Sequence, residues 1–244
     1  MKQHEAVIKV MEAKGGIATL GSLYQIVPQM PGCEWKTKTP FASIRRIVQD
    51  ERYFFKIRPG LWALKSYKDK LPPEILPPKT EPKAKQEEYS HTYYQGLLVE
   101  LGNMKAYSTY VPNQDKNKLF LGKRLREITT VPDIYRYGYD HIIQEARTID
   151  VIWFNERKMP ASHFEVEHST PIYRSLMKFV ELQDFRTDFY IVADDRRKIE
   201  FESKLSLSIF ANIGTRTRFI SYIKLSDWHT KTSEMKCLEK SLNL

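Results

Sequence analysis

The spacing of apolar residues over the first 48 positions is helical, and it then changes to two short strand-like stretches. Three apolar stripes predict three helices: Ala6, Val7, Val10 and Met11, then Leu20, Leu23, Tyr24 and Val27, then Phe41, Ile44, Ile47 and Val48. The stretches YFFKI and LWAL, joined by the turn residues Arg58-Pro59-Gly60, predict a β-hairpin. We therefore expect three helices followed by a hairpin in the N-terminal region.

Three helices followed by a hairpin is the element order of a winged helix-turn-helix domain. Such domains place the third helix in the major groove of DNA, and their hairpin contacts the backbone. Polar side chains on or beside the predicted third helix and hairpin are therefore candidate DNA contacts. They are Lys36, Lys38, Ser43, Arg45, Arg46, Lys56 and Arg58. The alternative is a protein-interaction domain whose basic face is simply solvated.

The segment TKTPFASIRRIVQDERYFFKIRPGLWAL carries a more specific pattern. A Trp precedes a TxTP sequence, an SIRR helix follows, and the hairpin contains Pro-Gly and a second Trp. In this order the chain resembles the HARE-HTH winged-helix domains found beside restriction nucleases and chromatin proteins. The resemblance covers residues 3–67 and implies DNA binding, without implying a recognition sequence.

A boundary is expected at residues 68–88, which read KDKLPPEILPPKTEPKAKQEE. Five prolines and alternating charge, with almost no aliphatic periodicity, are typical of a semi-extended linker. The expected organisation is a winged helix at 1–67, a linker at 68–88 and a larger domain at 89–244. The first of these holds a net charge of +6 and the last +3, so the N-terminal part is the expected DNA-docking part.

Predicted helices and strands alternate beyond the linker. Helices are expected at 91–102, at 139–146, from Pro171 onward, at 195–208 and at 234–242. Strands are expected at 105–112, 149–154, 162–168, 189–194 and 219–224. Strand, helix and strand in succession predict an α/β fold with a mixed sheet and helices on both faces.

The hairpin formed by strands 149–154 and 162–168 carries the most informative polar residues. Because side chains alternate along a strand, Glu165 and Glu167 share one face. Pairing of the two strands would bring Asp150 to the same side. Three crowded carboxylates repel one another and usually need a cation, and oxygen donors of this kind suit Mg²⁺. A Glu-x-Glu face exposed to solvent is the simpler alternative.

With these carboxylates the chain resembles the PD-(D/E)xK nuclease superfamily over residues 90–210. The core of that superfamily is an αβββαβ unit, so the resemblance implies a restriction-endonuclease-like mixed sheet flanked by helices. It also implies a site in which acidic residues hold Mg²⁺ or Mn²⁺ beside the scissile phosphate. The matching residues are Glu100 as the first-helix acid, Asp150 as the hairpin acid and Glu165 as the first residue of the (D/E)xK pair.

The chain departs from the superfamily pattern at the lysine position, which holds Glu167. A minority of the type II restriction enzymes in the superfamily also carry glutamate there, so catalysis is compatible with the departure. Glu167 would orient the attacking water, provided that its pKa suits the task. Lys178, on the following helix, is the alternative source of the positive charge.

Composition narrows the classes of function. Lys plus Arg is 39 and Asp plus Glu is 30, giving a net charge of +9 and a pI near 9.3, which favours a polyanionic partner. With two cysteines, no apolar signal region and no long apolar run, we expect a DNA-associated protein of the prokaryotic cytoplasm without a membrane segment. No glycine-rich phosphate loop is present, so no nucleotide cofactor is expected.

The leading hypothesis is a metal-dependent DNA endonuclease of the type II restriction kind. The winged helix would bind double-stranded DNA and the C-terminal domain would hydrolyse the phosphodiester. Cleavage of both strands requires two active sites, so a homodimer is expected. Two alternatives stay open: a DNA-binding regulator whose nuclease fold has lost catalysis, and a protein-interaction module. Metal-dependent cleavage would distinguish the endonuclease from the first alternative, and salt-dependent DNA binding would distinguish it from the second.

Overall fold

The computed structural model describes residues 1–37 and 39–242, so Lys38 lies outside the described residues. The chain forms two compact units. The first contains residues 1–86 together with the chain from Ser226 onward, and the second contains Glu87–Leu225. This division differs from the one expected from the sequence, in which the C-terminal residues belong with the larger domain.

Up to Leu64, the described residues of the first unit form three α-helices and a three-stranded antiparallel sheet. Its elements are α1 (Gln3–Ala13), β1 (Ile17–Thr19), α2 (Leu20–Ile26), α3 (Phe41–Val48), β2 (Phe54–Arg58) and β3 (Leu61–Leu64). The strand order is β1-β3-β2. The helices and the hairpin lie where the apolar pattern predicts them, whereas β1 is three residues long and was not predicted. The winged-helix identity of this unit stays a prediction.

The expected linker is more structured than its composition indicates. A 3₁₀ helix occupies Lys65–Lys70, and a long helix begins at Lys83. The five prolines all lie between residues 72 and 82, and the sequence after them is rich in helix formers. Ile75 is buried in the middle of this stretch, and its carbonyl accepts a hydrogen bond from Arg58 Nη2 at 3.2 Å. The irregular part of the chain is therefore shorter than 68–88.

The second unit has helices on a central sheet. The elements from α4 onward are α4 (Lys83–Met104), β4 (Ser108–Tyr110), β5 (Leu119–Phe120), β6 (Lys123–Arg124), α5 (Leu125–Ile128), α6 (Asp140–Ala146), β7 (Val151–Phe154), β8 (Pro160–Glu167), α7 (Ile172–Glu181), β9 (Asp188–Ala193), α8 (Lys198–Leu205), α9 (Ala211–Gly214), β10 (Thr217–Ser221) and α10 (Tyr222–Ser241). Across the described residues, none of these helices is long and apolar enough to cross a membrane.

The sheet of the second unit has five strands in the order β10-β9-β8-β7-β4. Strands β4, β7 and β8 pair antiparallel, whereas β8, β9 and β10 pair parallel. Apolar residues of the central strands and of α7 form the core, among them Ile152, Phe154, Leu176, Phe179 and Ile191. The expected α/β fold, a restriction-endonuclease-like mixed sheet flanked by helices, is confirmed.

The C-terminal helix differs most from the sequence expectation. The strand expected at 219–224 ends at Ser221, and the short helix expected at 234–242 is the end of α10. From Ser226 onward, α10 belongs to the first unit. Its buried face there carries polar residues at helical spacing: Ser226, His229, Thr230 and Ser233. The hydroxyls of Thr230 and Ser233 donate to the carbonyls four residues earlier, at 2.9 Å each. A buried stripe of this kind has no apolar periodicity, so the pattern did not reveal the helix.

Candidate active site

Strand β8 carries two acidic side chains into the protein. Alternation along the strand puts Glu165 and Glu167 on the same face, and their exposed fractions are only 3% and 4%. Their partners lie on α7. Lys178 Nζ is 3.0 Å from both carboxylate oxygens of Glu165, and Ser175 Oγ donates to Glu167 Oε1. The interpretation of this Glu-x-Glu sequence as a solvated strand face is therefore wrong.

Asp150 joins the same region from the neighbouring strand. It lies one residue before β7, and Val151 pairs with Phe164, so the register continues to Asp150 opposite Glu165. The backbone N–H of Val166 donates to Asp150 Oδ2 at 2.7 Å and fixes the carboxylate. We call Asp150, Glu165 and Glu167 the carboxylate cluster. The structure brings these three predicted site residues together.

Burial and mutual repulsion set the protonation of the carboxylate cluster. Burial, reinforced by the charge of Asp150, raises the pKa of Glu165 well above its ordinary range, although Lys178 opposes this. Burial also raises the pKa of Glu167 to about 7, against the hydrogen bond from Ser175. Burial also favours a higher pKa for Asp150. The charge and hydrogen bond of His91 and the hydrogen bond from the Val166 N–H outweigh this, so the pKa of Asp150 is lowered. A bound cation would relieve the repulsion and let all three ionise.

Glu100 lies on a different face of α4 from the residue that reaches this cluster. It lies on α4 nine residues after His91, which is half a turn around the helix and about 13 Å along its axis. His91 is the α4 residue that reaches Asp150, with 3.3 Å between its Nε2 and Asp150 Oδ1. The expectation that Glu100 supplies the helix acid stays a prediction, and this placement on α4 disfavours it. A helix presents one face to the sheet, and the sequence match chose a residue on the other face.

A further group of polar side chains lies against Asp150. One ligand atom from each of His91, Asp115 and Asp150 falls within 4.8 Å of the others. The amide Nε2 of Gln95 donates to Asp115 Oδ2 at 2.8 Å and to the carbonyl of Asp150 at 3.2 Å, and Lys118 Nζ is 2.7 Å from Asp115 Oδ1. Sequence reasoning missed His91, Gln95 and Asp115. The available signal was the four-residue spacing of His91 and Gln95, which puts both on one helix face.

The end of β8 is anchored by residues from the following elements. The hydroxyl of Tyr222 donates to the carbonyl of Glu167 at 2.7 Å, and its ring stacks on Tyr94 with 3.9 Å between centroids. The guanidinium of Arg197 donates to the carbonyls of His168 and Thr170 at 2.9 and 2.6 Å. The backbone that presents Glu167 is therefore held from two sides.

The predicted DNA contacts of the first unit are mostly on its surface. Lys36, Arg45, Arg46 and Lys56 are exposed, and Ser43 and Arg58 are partly buried. On α3, the cations Arg45 and Arg46 lie away from the buried residues Phe41, Ile44 and Val48. The expected contact at Lys38 lies outside the described residues. The positions of the remaining six are compatible with phosphate contacts, and their role stays a prediction.

Comparison with known proteins gives two matches. The family model of the type II restriction enzyme NmeDI C-terminal domain matches residues 60–242. The type II restriction enzyme NmeDI of Neisseria meningitidis serogroup C is 23% identical over 163 residues, covering 63% of this chain and 46% of that enzyme. The chain thus spans about half the length of this relative. No solved structure matches the chain.

Proposed function

This chain belongs to the family of the type II restriction enzyme NmeDI C-terminal domain, whose model covers three quarters of it, and we propose from this that it is a metal-dependent DNA endonuclease of the type II restriction kind. It would act in the bacterial cytoplasm and hydrolyse phosphodiesters of double-stranded DNA. Cutting both strands would require two active sites, so the working form would be a homodimer.

The observation that carries this proposal is the position of Asp150 beside the buried Glu165, with Lys178 against Glu165. An acid at the start of one strand and an acid pair on the next is the arrangement that the PD-(D/E)xK resemblance implies. The two carboxylates would hold a divalent cation, whose charge would offset the repulsion between them. Glu100 is left out of this ligand set because of its place on α4.

Lys178 and Glu167 would together take the roles of the lysine that the superfamily pattern has at position 167. Lys178 Nζ already contacts both oxygens of Glu165, so it would supply positive charge beside the scissile phosphate. Glu167 would orient the attacking water, and its pKa of about 7 meets the condition set for that role. When bound, the cation would lower the pKa of the water and neutralise charge on the phosphate.

The first unit would dock the DNA as a winged helix of the HARE-HTH type. Its third helix, α3, exposes Arg45 and Arg46, and its hairpin exposes Lys56. Lys36, Lys38 and Ser43 would add contacts near the start of α3. Arg58 is a weaker candidate in this arrangement, because its Nη2 already donates to the carbonyl of Ile75.

The test is cleavage of plasmid and phage DNA, methylated and unmethylated, with Mg²⁺ or with EDTA. We expect discrete fragments with Mg²⁺ and none with EDTA. Asp150→Ala should lower the cleavage rate by roughly 10³-fold or more, because the cation contributes several kcal/mol to the barrier. DNA binding, measured without metal, should be retained. Asp184→Ala, at an exposed acid of the same unit, is the matched control and should cut normally.

A second function, a DNA-binding regulator without catalysis, is favoured by one observation. The lysine position of the superfamily pattern holds Glu167. This alternative predicts salt-sensitive DNA binding and no cutting of any substrate with Mg²⁺ or Mn²⁺. That result, with a folded protein, would replace the endonuclease proposal.

A further inference from the structure

We propose that His91, Asp115 and Asp150, together with Gln95, form a divalent-cation position with a nitrogen ligand, which prefers Mn²⁺ to Mg²⁺. The inference deepens the proposed function and rests on it in one respect, the use of Asp150 as a metal ligand. It adds ligands that neither the sequence pattern nor the superfamily resemblance supplies. Helix α4 would thus contribute an imidazole and an amide where the superfamily pattern has a carboxylate.

The geometry brings donors from three parts of the chain to one place. His91 and Gln95 lie one helical turn apart on the same face of α4. His91 Nε2 is 3.3 Å from Asp150 Oδ1, and one atom from each of His91, Asp115 and Asp150 lies within 4.8 Å of the other two. Ligands of one small cation are about 3 Å apart when its bonds are near 2.1 Å. The 3.3 Å between His91 and Asp150 is close to that value, and the other two separations are no more than 4.8 Å.

Gln95 supplies an independent observation. Its side chain is completely buried, and its Oε1 accepts no hydrogen bond from residues 1–37 or 39–242. An unpartnered buried amide oxygen is costly in a protein interior. Rotation of the amide by half a turn would exchange Oε1 with Nε2, the atom that now faces Asp115 and the carbonyl of Asp150. In that orientation Gln95 offers an oxygen ligand to a cation in this position.

The contacts already present at Asp115 and His91 are compatible with a bound cation. Lys118 holds Oδ1 of Asp115 at 2.7 Å, while Oδ2 faces Gln95. The ring atom Nε2 of His91 faces Asp150, and a neutral imidazole offers such an atom to a metal as a nitrogen ligand. Imidazole suits Mn²⁺ and later transition metals, whereas Mg²⁺ favours oxygen ligands and retained waters. The nitrogen donor is therefore the reason for the expected preference.

The experiment is direct titration of the full chain with Mn²⁺, with free Mn²⁺ measured by electron paramagnetic resonance and Mg²⁺ added as competitor. We expect Mn²⁺ to bind at least tenfold tighter than Mg²⁺ in the unmodified chain. His91→Ala and Asp115→Asn should each weaken Mn²⁺ binding tenfold or more. His141→Ala, at an exposed histidine of the same unit, is the control and should change the affinity by less than twofold. Unchanged Mn²⁺ affinity in both site variants would overturn the inference.

A second measurement covers the case in which His91→Ala fails to fold. His91→Gln keeps a hydrogen-bonding side chain next to Asp150 but removes the imidazole. The visible spectrum of bound Co²⁺ should change in this variant and stay the same in His141→Ala. An identical Co²⁺ spectrum in His91→Gln and the unmodified chain would count against a nitrogen ligand.

The outcomes also separate this inference from the endonuclease proposal. Mn²⁺ binding that depends on His91, in a protein that cuts no DNA with any metal, would support the cation position and reject the nuclease. Metal-dependent DNA cleavage with Mn²⁺ binding that is indifferent to His91 and Asp115 would do the reverse.

Discussion

The two units of this protein handle charge in opposite ways. In the second unit Glu165 and Glu167 are buried, and burial raises the pKa of each. In the first unit the cations Arg45, Arg46 and Lys56 are exposed. A charge in a low-dielectric interior interacts strongly with a few neighbours, whereas an exposed charge is screened by water and salt. Substitutions in the carboxylate cluster should therefore have large, specific effects, and those on the surface of the first unit should have small, additive ones.

The largest effect that sharpens this contrast is expected at Lys178. Lys178→Met removes the one cation in contact with Glu165 among the described ion pairs. We expect roughly 10²–10³-fold slower DNA cleavage, as for the loss of an electrostatic group in an active site. Metal-free DNA binding should be unchanged. Lys198→Met is the matched control, because Lys198 is exposed on α8 and pairs with Glu202 at the surface.

Glu167→Gln, measured in the same cleavage assay, tests whether Glu167 or Lys178 takes the role of the lysine in the superfamily pattern. If Lys178→Met cuts as fast as the unmodified chain while Glu167→Gln is inactive, the positive charge is not needed and Glu167 alone takes the lysine position. Thermal unfolding of each variant, recorded in parallel, separates lost chemistry from a lost fold.

The next effect concerns packing in the second unit. Gly96 lies on α4, and a Cβ added there would come 2.1 Å from the ring of Phe120. Gly96→Ala should lower the free energy of unfolding by roughly 1–3 kcal/mol, because a full core has no space for the methyl group. Gly214→Ala is the control, since in the described part of the chain its added Cβ would meet no atom within 4 Å outside its own helix backbone and its two neighbours in sequence. Urea unfolding of both variants measures the difference, and equal stability would show that Phe120 moves aside freely.

The pH dependence of stability tests the effect of burial on a group outside the carboxylate cluster. Burial, with the charge of Asp133, raises the pKa of Tyr110 to about 12, compared with 10 in an unfolded chain. Between these values the unfolded state loses a proton that the folded state keeps, so stability falls as the pH rises. The slope from this one group is about 1.4 kcal/mol per pH unit. Tyr110→Phe should flatten the loss of stability between pH 10 and 12, measured by urea unfolding. A slope unaffected by the substitution would contradict this.

The smallest effect is expected on the surface of the first unit. Arg46→Ala should weaken DNA binding only a few-fold at moderate salt, and the slope of log affinity against log salt should fall by about 0.9. Lys204→Ala, at an exposed lysine of the second unit, should leave both quantities unchanged. A loss of 100-fold or more from Arg46→Ala would erase the contrast between the two units.

The local pattern of the sequence was sufficient to predict much of the site. Alternation along β8 put Glu165 and Glu167 on one face, and the antiparallel pairing of β7 and β8 brought Asp150 to them. Both follow from strand geometry, which depends only on neighbours in the chain and in the hairpin. The three helices and the hairpin at the start of the first unit were located in the same way, from apolar stripes and a Pro-Gly turn.

Local pattern failed where two distant segments had to meet. Glu100 and His91 are equally compatible with an amphipathic helix, and only the packing of α4 decides which one faces Asp150. Helix α10 was underestimated because its buried side consists of Ser226, His229, Thr230 and Ser233, which satisfy much of their polarity on their own backbone. The close approach at Gly21, where a Cβ would lie 2.4 Å from Ser233 Oγ, is equally absent from the pattern.

By itself the sequence determined most of the longer elements, the fold class and the pair of acids on β8, because periodicity and alternation are properties of consecutive residues. The tertiary structure alone decided that those acids are buried, that Lys178 contacts Glu165, and that His91, Gln95 and Asp115 gather around Asp150. Each of these depends on which helix face meets the sheet. That choice is made by the total burial of apolar surface over the whole unit, and no short stretch of residues carries it.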